Sequence, residues 1–162
     1  MKKGYFFTLD AFIAIAVMIT GVVTVLYSFS STPSSAPVLL LSQDVINVLS
    51  STKVSELDSP LVQQFIAAGL INDINISLLD QAGLFYFRGQ LANATSLVGN
   101  ATAMLVPNQY GYTVLIESTA IYSRDILQDQ QRLLISSRKL IFGAMNKTTL
   151  WGPYQAEVRI WQ

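Results

Sequence analysis

One apolar run close to the N-terminus constrains this chain more than any other feature. From Tyr5 to Phe29 the sequence carries a single charged residue, Asp10. The run is about as long as the roughly 20 apolar residues that cross a bilayer core. A lone span in lipid has to be helical, because only a helix satisfies its own backbone hydrogen bonds. We therefore predict a transmembrane helix over residues 5–29.

The charges that flank this run predict its orientation. Lys2 and Lys3 precede it, and no basic residue follows it until Lys53. Because basic residues collect on the cytoplasmic side of a membrane span, we expect the N-terminus to be cytoplasmic. Residues 30–37, rich in Ser and Pro, are typical of a linker. The sequence thus predicts a single-pass protein of the cell membrane whose residues 38–162 form an extracytoplasmic domain.

The N-terminal segment has three interpretations. A cleaved secretory signal has a core of only about 7 to 15 apolar residues, followed by a small-residue cleavage site. The core here is longer, and the small residues 34–36 are followed by Pro37, which disfavours cleavage. A plain single-pass anchor is the second interpretation. The third is a short basic leader that ends in glycine and precedes a retained helix.

The leader residues favour the third interpretation. Lys2, Lys3 and Gly4 are followed by the aromatic Tyr5 and, after Phe6, by the sequence Phe-Thr-Leu. This arrangement resembles the class III signal peptide, or prepilin signal, of type IV pilins and related archaeal surface proteins. In that family a membrane peptidase cuts after the glycine on the cytoplasmic side, and the helix stays in the mature protein and packs into a filament core. The resemblance implies that residues 1–4 are a cleaved leader and that Tyr5 becomes the mature N-terminus.

The acidic residue departs from the family pattern. Pilins carry Glu as the fifth residue after the cut, whereas Asp10 is the sixth residue after Gly4. Either the register is shifted by one residue or the acid has another role. The resemblance, which covers residues 1–30, implies that Asp10 serves assembly by pairing with the amine of a neighbouring subunit. It also implies, as partners, a prepilin peptidase, a pilus assembly platform with its ATPase, and other pilin subunits.

Composition excludes several classes of function. The 162 residues include no cysteine and no histidine, which excludes disulfides, thiol catalysis, a Ser-His-Asp triad and imidazole-ligated zinc. The net charge is zero and the basic residues are scattered, so no nucleic-acid surface is indicated. We expect a structural protein rather than an enzyme, with no metal and no cofactor. The alternative is a membrane-anchored extracellular sensor or binding domain that forms no filament.

Four Asn-x-Ser/Thr sequons occur, at Asn75, Asn93, Asn100 and Asn146. All four lie on the side that the charge pattern places outside, so they are candidate glycosylation sites of a surface protein. The alternative, that some or all are unused, stays open. Asn93 and Asn100 are seven residues apart and would share one face of a continuous helix.

Helical periodicity occupies the first part of the outer domain. Apolar residues recur every three or four positions in stretches that begin near Val38, Pro60 and Ser77, which predicts two or three helices. On the first of them we expect the polar Ser42 to face solvent. In the third, Gly89 is a position at which the helix can break.

After Pro107 the pattern changes to alternation of apolar and polar residues, which is typical of half-buried strands. Strands are predicted over residues 110–118, 119–124, 133–142 and 154–161. The turn-rich residues 146–153 are expected to join the last two. Arg138 is expected on an exposed edge or in a cross-strand ion pair. Helices first and strands last indicate an α+β domain with a C-terminal antiparallel sheet of three or four strands, preceded by the long transmembrane helix.

Overall fold

The computed structural model of this protein describes residues 4–30, 36–126, 133–145 and 148–162. Backbone contacts divide the chain into two compact units, with the division between residues 34 and 35. The first unit contains helix α1 (Gly4–Ser30). The second unit contains further helices and a C-terminal antiparallel sheet, which confirms the predicted α+β class.

Helix α1 consists mainly of apolar and small residues. By length and composition, the segment Asp10–Ser28 within it could cross a membrane. No part of this span is buried. The helix predicted over residues 5–29 is confirmed as a helix, one residue longer at each end.

Four α-helices follow within the described residues of the second unit: α2 (Ala36–Ser51), α3 (Pro60–Ala67), α4 (Leu78–Phe87) and α5 (Leu91–Thr102). A 3₁₀ turn over Val54–Glu56 lies between α2 and α3. The sequence predicts two or three helices here. The additional helix arises because Gly89 has a φ of +70°, and a residue in this left-handed conformation ends α4 and separates it from α5.

The sheet contains four antiparallel strands in the order β2-β1-β4-β3: β1 (Gly111–Ile116), β2 (Thr119–Arg124), β3 (Leu134–Ala144) and β4 (Leu150–Trp161). Two hairpins, β1–β2 and β3–β4, meet where β1 pairs with β4. Glu117 and Ser118 form the first hairpin turn with φ values of +50° and +69°. Both therefore adopt the left-handed conformation that two-residue hairpins require.

The prediction of a turn over residues 146–153 is wrong in its second half. β4 begins at Leu150, which pairs with Ala144, and not at Tyr154. The pairing shifts register near Phe142, so that Gly152 and Pro153 lie in a bulge. A bulge is one of the few places in a sheet that accept proline, which is why these turn-forming residues lie inside a strand.

The core lies between the helices and one face of the sheet. Helices α2, α4 and α5 contact the strands, and alternate residues of β1 and β4 point toward them. Fully buried side chains on the two sides of this layer include Leu49, Leu79, Phe85, Leu97, Tyr112, Val114, Val158 and Ile160. Burial of this apolar surface is the main favourable contribution to folding of the second unit.

The prediction that Ser42 faces solvent is wrong, because Ser42 is fully buried. Positions 38, 42, 45 and 49 follow the spacing of one helical face, and all four are buried. The Ser42 hydroxyl donates to the Leu39 carbonyl and lies 2.8 Å from the hydroxyl of Ser137 on β3. A buried hydroxyl is tolerated here because it has hydrogen-bond partners.

Candidate functional site

The residues predicted for processing and assembly lie at the start of α1. Gly4 and Tyr5 are its first two residues, and Lys2 and Lys3 lie outside the described residues. Asp10 is exposed, six residues after Gly4. At about 1.5 Å per residue, it lies roughly 9 Å along the helix from Gly4.

One face of α1 carries small residues that form a shallow groove, lined by Ala16, Thr20, Gly21 and Thr24 among others. The Thr20 hydroxyl donates to the Ala16 carbonyl at 2.8 Å, and the Thr24 hydroxyl donates to the Thr20 carbonyl at 2.8 Å. Since these hydroxyls are satisfied within the helix, they add little polarity to its surface. Small residues at this spacing let a second helix approach closely.

The sequons are distributed over the second unit and do not form one site. Asn75 is exposed in the loop between α3 and α4, where its N–H donates to Asp73 Oδ1 at 2.9 Å. Asn100 is exposed on α5, and Asn93 is half-buried near the start of the same helix. Asn146 lies outside the described residues. None of the three described sequon residues is buried in the core. Their use as glycosylation sites stays a prediction.

An ion-paired cluster lies on the sheet face opposite the helices. Glu157 is 6% exposed and accepts from Arg159 Nε at 2.8 Å and Nη2 at 3.2 Å. Arg138 Nη2, on the neighbouring strand, lies 3.4 Å from Glu157 Oε1, which confirms the predicted cross-strand ion pair. Hydrogen bonding from Arg159, then from Arg138, lowers the pKa of Glu157 despite its burial.

An exposed apolar surface lies at the hairpin end of β3 and β4. The edge patch, as we call it, consists of Leu140, Phe142 and Leu150, which are 65%, 71% and 77% exposed. β3 is an edge strand of the described sheet. Sequence reasoning missed this patch, although apolar residues at both odd and even positions from Leu140 to Phe142 were a signal that both faces of β3 are apolar there.

The acidic side chains of the described residues do not form a metal site. Within the described ranges, no group of three Asp or Glu side chains lies together as a metal site would require. Comparison with protein-family models, with curated protein sequences and with solved structures finds no match to this chain.

Proposed function

We propose that this chain is a structural subunit, major or minor, of a type IV pilus-like surface filament or secretion pseudopilus. The observation that carries the proposal is α1, a membrane-length apolar helix with no part of its Asp10–Ser28 span buried in its own chain. Such a helix has to be covered by lipid or by other helices. Helix α1 would accordingly be a membrane anchor first and part of a filament core after assembly.

Two surfaces support self-association. The small-residue groove on α1 suits close packing against a neighbouring helix. The edge patch on β3 and β4 exposes three large apolar side chains, and exposed apolar patches commonly mark contact surfaces. A filament subunit needs contacts both between its helices and between its outer domains, and the chain offers a surface of each kind.

The proposal includes an orientation and a set of partners. Lys2 and Lys3 would hold the N-terminus in the cytoplasm, where a prepilin peptidase would cut after Gly4. An assembly platform with its ATPase would then move the subunit into the filament. The outer domain would face the cell surface, with Asn75 and Asn100 exposed and able to carry glycans.

N-terminal mass spectrometry of the protein from its native membrane tests this proposal. We expect a mature chain that begins at Tyr5. In a Gly4→Val variant we expect an intact leader, because the peptidase requires a residue without a side chain at the cleavage position. The variant should still insert into the membrane, since its apolar run is unchanged.

Identical N-termini in the wild type and in the Gly4→Val variant would contradict processing at this position. An unprocessed chain would instead support the second candidate function, a single-pass anchored sensor or binding domain that forms no filament. The observation that favours this second candidate is a cavity of about 130 Å³ in the outer domain beside α4, lined by polar and apolar residues that include Asn72, Asp73 and Leu84.

A further inference from the structure

In the three described sequons, the asparagine and the hydroxyl residue have different surroundings. Asn75 and Asn100 are exposed and Asn93 is half-buried. An Asn-x-Ser/Thr acceptor needs its third residue because the enzyme that transfers the sugar binds that hydroxyl together with the asparagine amide. Whether a sequon can be used therefore depends on the position of the hydroxyl as much as on the exposure of the asparagine.

The sequons that begin at Asn93 and Asn100 lie entirely within α5. An α-helix has 3.6 residues per turn, so side chains two positions apart point about 200° apart around the helix axis. The asparagine amide and the threonine hydroxyl of each sequon thus lie on opposite sides of α5. One binding site on an enzyme cannot hold both groups while the helix is intact.

The hydroxyl that completes the Asn100 sequon lies in the core. Thr102 is fully buried, donates to the Val98 carbonyl at 2.7 Å and lies 2.7 Å from the hydroxyl of Tyr112. Tyr112, on β1, is itself fully buried. The Thr102 hydroxyl can reach an enzyme only after the end of α5 has separated from the sheet, which opens the core of the domain.

The hydroxyl that completes the Asn93 sequon joins α5 to the sheet. Thr95 Oγ1 lies 2.9 Å from the Leu91 carbonyl and 2.7 Å from the Ile121 carbonyl on β2. A hydroxyl has a single proton to donate, and here both acceptors belong to the folded domain. Release of the Thr95 hydroxyl therefore requires α5 to unwind and to leave β2.

The sequon at Asn75 lies in a loop, but its hydroxyl is engaged as well. Ser77 is buried and is the N-cap residue of α4. Its hydroxyl donates to Asp80 Oδ2 at 2.6 Å and accepts from the Asp80 N–H at 3.0 Å. The middle residue is held too, because the Ile76 carbonyl accepts from the Val54 N–H at 3.1 Å. Since an N-cap hydrogen bond stabilises the start of a helix, the Ser77 hydroxyl is released only when the start of α4 opens.

We propose that N-linked sugars are attached at Asn75, Asn93 and Asn100 only before the outer domain folds, and that the folded domain is not an acceptor. In the unfolded chain the three hydroxyls are accessible, whereas in the folded domain all three are engaged. A sugar already attached at Asn75 or Asn100 can stay on the folded domain, because these asparagines are exposed. Sugar transfer would thus come first, folding second, and any assembly of folded subunits last.

The transfer itself needs a lipid-linked oligosaccharide diphosphate as the sugar donor. The asparagine Nδ2 forms a bond to C1 of the first sugar, and the bond between C1 and the phosphate oxygen breaks. The amide gives up one proton, and the lipid diphosphate is the leaving group. This order of events does not depend on filament formation, since a filament subunit and an anchored binding domain would meet the transferase in the same way.

Sugar transfer to the purified chain tests the proposal. The full chain is produced in a host that adds no glycans, is held in detergent micelles, and is incubated with a single-subunit oligosaccharyltransferase and a synthetic lipid-linked oligosaccharide diphosphate. An Asn-Ala-Thr tail, appended after Gln162 through a Gly-Ser spacer, is the internal control because it repeats the two helical sequons. Relative to the tail, we expect transfer to be at least about tenfold slower at Asn75, where opening is local, and at least about a hundredfold slower at Asn93 and Asn100. Mass spectrometry of the glycopeptides measures each site.

A matched variant that does not fold shows whether the fold is the cause. Val158 is fully buried in the sheet and pairs with Val114. Val158→Asp buries an unpaired carboxylate and leaves every sequon unchanged. We expect this chain to lack a near-ultraviolet circular dichroism signal and to accept sugar at all three asparagines as fast as at the tail. If Val158→Asp still folds, the double variant with Val114→Asp replaces it, because two carboxylates would then lie directly opposite each other.

Two results would overturn the proposal. The first is transfer to the folded wild type at Asn93 or Asn100 as fast as at the tail. The second is an unfolded variant that accepts sugar at the tail but not at Asn75, Asn93 and Asn100, because the local sequences and not the fold would then exclude these sites. Neither result bears on cleavage after Gly4, which N-terminal mass spectrometry tests separately.

Discussion

At the scale of single residues, Glu157 links stability to pH. Its pKa is lowered from the ordinary 4.5, chiefly by the hydrogen bond from Arg159. A lowered folded-state pKa means that the unfolded chain binds the proton more tightly. The stabilisation that the ionised Glu157 carboxylate gives the folded domain is therefore complete well above pH 4.5. It is lost as the pH falls through the folded-state pKa of Glu157.

We expect Glu157→Gln to lower the free energy of unfolding at neutral pH by roughly 1 kcal/mol, a modest amount because the two arginine partners are partly solvated and screened. As the pH falls well below 4.5, the difference between the variant and the wild type should shrink. Denaturant unfolding over a series of pH values measures this. Asp44→Asn, at an exposed position on α2, is the control and should show no such convergence. A difference that stays constant across the series would show that the ion pair does not contribute.

Gly83 lies where α4 packs closely against side chains of β3 and β4. A Cβ atom built on it would lie 2.7 Å from Ile141 Cδ1 and 2.7 Å from Trp151 Cζ3. The end of the isoleucine side chain can move, whereas the buried indole ring is rigid and held on both sides. The missing side chain at Gly83 is therefore what allows the ring of Trp151 to fit under the helix.

We expect Gly83→Ala to destabilise the domain, although alanine is intrinsically better in a helix by about 1 kcal/mol. Overpacking costs about 1–3 kcal/mol and should outweigh that gain. Thermal unfolding measures the loss. The same substitution in a Trp151→Phe background, which lacks the outer ring, should cost less, and equal costs in both backgrounds would show that the clash with the indole is not the cause.

At the scale of secondary-structure elements, Ser42 and Ser137 connect α2 to β3 through hydroxyls 2.8 Å apart. We expect Ser42→Ala to lower the free energy of unfolding by about 1 kcal/mol, because it leaves the Ser137 hydroxyl without this partner. The double variant Ser42→Ala with Ser137→Ala should cost less than the sum of the two single variants. Strict additivity in denaturant unfolding would contradict an energetic link between the two elements.

The elements themselves could largely be predicted from the sequence, because their signals are local. Alternation places β2 at the observed bounds, residues 119–124, and the other strands within a few residues. The errors occurred where a local rule competes with a tertiary one. Polarity predicts that Ser42 faces outward, whereas its spacing puts it on the buried face. Gly152 and Pro153 predict a turn, whereas a bulge accommodates them inside β4.

The cavity beside α4 could not be predicted in this way. Two of the residues that line it, Gln81 and Trp151, are 70 residues apart in the sequence, and no local pattern links an amide on α4 to a ring on β4. The same holds for the contact between Gly83 and that ring. By contrast, the N-terminal helix could be predicted in full, because its length and apolar composition alone define it.

At the scale of the whole molecule, the proposed assembly role of Asp10 can be distinguished by experiment from a place in a plain membrane anchor. A carboxylate at the centre of a membrane helix costs about 2.5 to 3.5 kcal/mol, and less near the interface, so an exposed Asp10 near the start of α1 is tolerable in lipid. In a dry helix bundle the same charge needs a partner, and the new amine at Tyr5 of a neighbouring subunit would supply one.

We accordingly expect Asp10→Ala to insert and to be processed normally but to yield few or no filaments at the cell surface. Electron microscopy of the cells, with immunoblots to match protein levels, measures this. The Thr8→Ala variant, two residues away on the same helix, is the control and should assemble. A normal filament yield from Asp10→Ala at equal abundance would make Asp10 a tolerated interfacial acid only.

The last prediction concerns the independence of the two units. No part of the Asp10–Ser28 span is buried, and the cluster of buried apolar residues runs from Val38 to Ile160, entirely within the second unit. Since burial of apolar surface is the dominant favourable term in folding, removing α1 should leave the stability of the domain intact.

We expect a fragment of residues 36–162 to fold and to melt at the temperature of the domain in the full chain, measured by circular dichroism in the same detergent. The Gly83→Ala substitution should lower the melting temperature of the fragment and that of the full chain by the same amount. A fragment without near-ultraviolet signal, or with a much lower melting temperature, would show that the domain needs α1 to fold.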